Sequence, residues 1–132
     1  MIFGLFGDKK EREAKQFNKD APLIIEQAEQ LYAPPRLRAM AETIVEFIER
    51  AHVRYGTAEI DLKRAHFDFR GLHKEARRNN DQVGLSAMTL VIIYIRAEIN
   101  GPMAAPARAT IDAFTASWLH DGDGATASDE EA

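Results

Sequence analysis

The chain has 132 residues, 45% hydrophobic and 29% charged, with a formal net charge of −4: the make-up of a single soluble globular domain, able to bury roughly two thirds of its unfolded surface. It has no cysteine, which excludes disulfides, thiolate nucleophiles and cysteine-based zinc or iron–sulfur sites and is compatible with a reducing, cytoplasmic setting. The most apolar run, "LSAMTLVIIYI", has 11 residues against the roughly 20 that a bilayer span needs, so no transmembrane segment is expected.

Residues 1–7, "MIFGLFG", are apolar but lack the basic start and the length of a signal peptide. Ile2, Phe3, Leu5 and Phe6 are expected to dock rather than stand in water. They can fold back on the protein, enter a partner's groove, or touch a membrane surface through residues 1–10, with Lys9 and Lys10 near anionic headgroups.

From residue 8 to 119 the pattern predicts one all-α domain, an antiparallel bundle of about five helices. In the first helix Ala14, Phe17, Ala21, Ile24, Ala28 and Leu31 step by three and four, as one buried face requires. Pro22 leaves open one kinked helix or two short ones. "APP" then marks a turn, and Pro35 can open the second helix. Its broad apolar face is Leu37, Met40, Ala41, Ile44, Phe47, Ile48, Ala51 and Tyr55, with Glu42, Glu46, Glu49 and Arg50 opposite. Gly56 suits the end of that helix, and Thr57 can cap the third.

The third helix holds "DLKRAHFDFRGLHKEARRNN", residues 61–80, in which residue types recur every seven positions. Such a repeat drifts only about 20° per heptad, so each position forms a stripe. Leu62, Ala65, Phe69, Leu72 and Ala76 form the expected seam. His66 and His73 lie on one border, and Asp61, Asp68 and Glu75 on the other. Lys63, Arg70, Lys74, Arg77 and Arg78 cluster outward with Phe67 among them. Gly71 inside a helix costs about 1 kcal/mol relative to Ala. A close crossing of a neighbouring helix is the favoured reason, ahead of an open docking patch.

Asp81 can cap the fourth helix, roughly 81–99, which is apolar nearly all round and therefore belongs at the centre of the bundle. "NGP" is expected to stop it. The fifth runs from about 105 to 119 with Ile111, Phe114 and Trp118 inward, and ends before "DGDG". Residues 120–132 carry five of the 21 acids and no Lys or Arg, which leaves 17 basic against 16 acidic residues elsewhere. Small, acidic and poor in apolar groups, this tail is expected to be disordered.

Catalytic patterns are scarce. His66 and His73 stand about 10 Å apart along a helix, too far to share one zinc. Glu49 and His52 have di-iron spacing, but no second Glu-x-x-His exists. "DGDG" lacks the glycine and the glutamate that a calcium loop requires later. Hence no metal or cofactor is expected, and the chain points away from an enzyme. Small histidine-phosphotransfer bundles place an exposed His before a Lys at +3 and a Gly at +4. Here His66 has Arg70 at +4 and Gly71 at +5, a departure of one residue. That makes His66 with Arg70 an alternative phosphoacceptor site. Residues 36–78 are only +3 overall, which argues against nucleic acid.

The main expectation is a small soluble adaptor that binds another, acidic protein. The surface is Lys63, Phe67, Arg70, Lys74 and Arg77, joined by Ile2, Phe3, Leu5 and Phe6; pairing of two copies is also compatible. A histidine on the seam border beside an acid would gain a raised pKa and tune affinity between about pH 6 and 7.5.

Overall fold

The computed structural model describes the backbone of residues 2–56, 59–79 and 81–131 and the side chains of 9–56, 61–79 and 81–119. Its elements are α1 (Ile2–Leu31), α2 (Pro34–Tyr55), α3 (Glu59–Arg78), α4 (Gln82–Asn100), a 3-10 turn (Gly101–Ala104) and α5 (Ala105–Glu131), with no strand among the described residues. The turn joins α4 to α5 without an irregular residue, so the helical backbone falls into four uninterrupted runs. The roles expected of Ile2, Phe3, Leu5 and Phe6, of the tail from 120 to 132 and of Thr57 as a cap lie outside the described side chains.

Local chemistry explains most boundaries. α1 is one helix through Pro22. That residue sits on the exposed face and forgoes only the bond its N–H would have made to the Asn18 carbonyl. Ala33 is extended and Pro34–Pro35 start α2, where their fixed φ suits a first turn. α2 ends at Gly56, φ 81°, whose N–H donates to the His52 carbonyl at 3.0 Å. The positive φ accounts for glycine there. The Asp81 carboxylate accepts from the Gly84 N–H at 2.8 Å and caps α4. Gly101, φ 78°, ends α4 at "NGP" as expected, whereas α5 continues to Glu131, past the stop expected at "DGDG".

Direction follows from a few pairs. The Phe47 and Phe69 rings meet edge to face, 5.6 Å between centroids, across the α2/α3 hairpin. His73 Nε2 lies 3.0 Å from Thr89 Oγ1 across α3/α4. The Tyr94 hydroxyl donates to Asp112 at 3.3 Å across α4/α5. Asn18 pairs with Ala107, and Glu29 with Trp118, so α1 and α5 run parallel. α1, α3 and α5 thus point one way and α2 and α4 the other.

α4 packs against each of the other four helices, which is what an apolar surface all round demands. The bulkiest fully buried side chains are Leu37, Met40 and Ile44 of α2, Leu90, Val91 and Ile95 of α4, and Ile111 of α5. α1 reaches this core through Ala14, Ala21 and Ala28, small residues at heptad spacing, with Ile25 beside them. Leu31, expected on that face, is 74% exposed; it is the last residue of α1 and lies about 60° round the helix from Ala28. By length and composition alone Gln82–Leu119 could cross a bilayer. Here Leu90, Val91, Ile93 and Ile95 of that stretch face other helices, as the central helix of a bundle does.

Candidate functional site

α3 presents a different chemistry on each side. Its inward stripe, Leu62, Ala65 and Phe69, is buried against α4. Leu72, expected to continue the seam, is 38% exposed. α2 and α3 both pack on α4, and Leu72 lines an open groove between them instead of meeting a partner. Gly71 is exposed, and a Cβ on it would meet nothing within 4 Å. The helix crossing expected to require this glycine is therefore absent, and open backbone remains beside Phe67.

The outer face gathers Lys63, Arg64, Phe67, Arg70, Lys74, Arg77 and Arg78, all exposed. Phe67 is 76% exposed, so the ring stands among cations with almost no apolar cover. At 100° per residue these side chains fall within a sector of about 140° in which no described acid lies. Asp61, Asp68 and Glu75 border the sector on the α2 side. Asp68 accepts a short hydrogen bond from the Tyr55 hydroxyl, which raises the Tyr55 pKa above its ordinary value.

On the opposite border, His66 lies half-buried where α3, α1 and α4 meet. A cavity of about 170 Å³ is lined by Glu13, Lys63, His66, Arg96 and Ile99. Arg96 Nε donates to Glu13 Oε1 at 2.9 Å and its guanidinium lies over the Phe17 ring. The buried Asn100 donates to the same oxygen at 3.3 Å. Burial opposes ionisation of Glu13, but the bond and charge of Arg96, with Asn100 and Lys9, outweigh it and hold the carboxyl below its usual range. Desolvation, then Arg96 and Arg70, push His66 down to about 4 despite Glu13. His73 is lowered too, by desolvation, Arg77 and Arg70. The raised histidine pKa expected from a neighbouring acid is thus reversed: cations and burial, not carboxylates, dominate both rings.

Between α2 and α3 lies an open groove of about 760 Å³. Phe47, Phe69 and Tyr55 form its floor, Val53 and Leu72 its apolar lips, and Glu46, Glu49, Arg50, Arg54 and Asp68 its charged rim. Sequence reading missed this groove. The available signal was Val53, an apolar residue on the polar side of α2, and it is 88% exposed.

The structure thus brings Lys63, Phe67, Arg70, Lys74 and Arg77 onto one surface. His66 lies round the helix from them, toward α1, though Arg70 is near enough to shift its titration. His52, half of the di-iron spacing, turns to Glu98 of α4 with contacts of 2.9 and 3.0 Å, while Glu49 faces solvent. Among the described residues no three His, Asp or Glu side chains converge on a metal-sized position. Compared with protein-family models, curated proteins and solved structures, the chain finds no match.

Proposed function

We propose that this protein works by binding another protein, as a small adaptor in the cytoplasm, and that the outer face of α3 receives an acidic segment of the partner. The observation that carries this reading is Phe67, 76% exposed beside the open backbone at Gly71 and ringed by cations. Folding gains little from that arrangement, because α3 is already held by its opposite stripe. Covering such a ring is worth about 1.5–3 kcal/mol to a complex. Arginine and aromatic side chains are the usual anchors of interfaces, and the cations select acidic over basic partners.

The test is a photo-crosslinking residue in place of Phe67, expressed in the native organism, with and without Arg70→Glu and Lys74→Glu. A partner captured by the first and lost with the charge reversals supports the reading; capture indifferent to the reversals sinks it. With the partner in hand, Phe67→Ala and Arg70→Ala should each weaken binding by more than about 1 kcal/mol in titration calorimetry.

A second reading uses His66. Lys63, Arg70 and Arg96 surround an imidazole kept neutral, and so nucleophilic, at physiological pH. A ring nitrogen would take the phosphoryl group of a donor such as acetyl phosphate, releasing acetate, with the cations balancing its charge. Acid-labile label on His66 after incubation with acetyl phosphate or a phosphorylated receiver would favour it; label surviving His66→Ala would refute it.

A further inference from the structure

We infer that the α2/α3 groove is the contact between two copies of this chain, paired antiparallel about a two-fold axis level with Arg50. No other described segment covers the groove. Its lips, Val53 and Leu72, are exposed, and its floor is the Phe47–Phe69 ring pair. These are the materials of a small hydrophobic contact ringed by charge.

The rim identifies the occupant. It carries Glu46, Glu49 and Asp68 against Arg50 and Arg54, so neither sign prevails. A partner of one sign would be drawn to one end and repelled at the other, unlike on the outer face of α3. Along α2, however, the charges are ordered: acids at 46 and 49, bases at 50 and 54. A second α2 running the opposite way places its Arg54 level with Glu46, and its Glu46 level with Arg54. The same operation sets Val53 of one copy level with Phe47 and Phe69 of the other, and Leu72 level with Tyr55. Arg50, near the axis, is neutralised within its own chain by Glu46 at 2.6 Å and lies over the Phe47 ring. Such self-complementarity is what an isologous two-fold contact needs.

Size is also suitable. α2 and α3 have 22 and 20 residues, giving a face of about 30 by 20 Å at ordinary helix spacing. That approaches the roughly 800 Å² per partner of a standard interface and suits a reversible dimer. The groove and the cationic face lie on different sides of α3, so this inference stands or falls independently of the proposed function.

Sedimentation velocity of the full chain tests it, over a range spanning a Kd of about 1–100 µM. The wild type should approach twice the 14.8 kDa chain mass. Val53→Glu and Leu72→Glu change exposed residues, so helicity and melting should hold while dimerisation weakens about 10-fold or more. Glu46→Lys with Glu49→Lys, and separately Arg50→Glu with Arg54→Glu, should each give monomers that pair when mixed. A wild type that stays monomeric throughout the range overturns the inference. So does a dimer indifferent to Val53→Glu, or folded charge variants that fail to pair on mixing.

Discussion

α3 and α4 are neighbours of 20 and 19 residues in one hairpin, yet they use their side chains in opposite ways. α4 spends nearly its whole circumference on packing: Ala87, Met88, Leu90, Val91, Ile93, Ile95 and Ala97 are buried, and its charges Arg96 and Glu98 are tied to Glu13 and His52. α3 buries one stripe and leaves the rest to solvent. Near-equal length therefore hides unequal constraint. A helix caged by four others has little surface to offer a ligand, whereas a helix held on one side keeps three sides for recognition.

The sharpest challenge to this contrast is a pair of truncations read by thermal and urea melts. Leu90→Ala removes a fully buried side chain and should cost about 2–5 kcal/mol, lowering Tm by about 10 °C or more. Phe67→Ala, though it removes a larger group, should stay within about 0.5 kcal/mol. Comparable losses would mean that α3 is as constrained as α4.

A smaller effect probes the border where α3 meets α1 and α4. His66 titrates near 4 folded against 6.5 unfolded, so the unfolded chain takes up the proton first. Stability is then unaffected above pH 6.5 and falls as pH drops from 6.5 toward about 4. The loss should be about 1–2 kcal/mol, less than full linkage because the ring keeps partial hydration. His66→Gln should flatten the pH dependence of the melts across that window. An unchanged slope would place His66 in water.

The smallest expected change has the opposite sign. Gly71→Ala meets no neighbour and should stabilise α3 by about 0.5–1 kcal/mol. A destabilised variant would reveal something packed against that backbone after all.

What could be read in advance divides along the same line. The apolar face of α2, the Asp81 cap and the Gly56 terminus were legible because each depends on residues close in sequence. The central position of α4 was legible because no surface helix carries apolar groups all round. Leu72 and Gly71 were not, since their surroundings depend on how far α2 stands from α3, which no local pattern encodes. The Glu13–Arg96–Asn100 set, with His66 beside it, draws on three helices. Its one clue was Arg96 directly after the apolar run of the central helix, a charge that needed a partner from elsewhere. The cationic face was visible because it lies on a single helix.

The parallel pairing of α1 with α5 bears on the order in which the chain assembles. Asn18 meets Ala107 and Glu29 meets Trp118, each 89 residues away, whereas the hairpins from α2 to α5 close over short loops. Loop-closure entropy grows with the span enclosed, and contacts between distant residues slow folding. α2 to α5 can therefore zip together as neighbours, with α1 docking last along its alanine stripe. Native-state hydrogen exchange should show this as a separate opening unit: amides of α1 near Ala21 exchanging at lower denaturant than those of α4 near Val91. Simultaneous exchange of the two would mean that α1 belongs to the same cooperative unit.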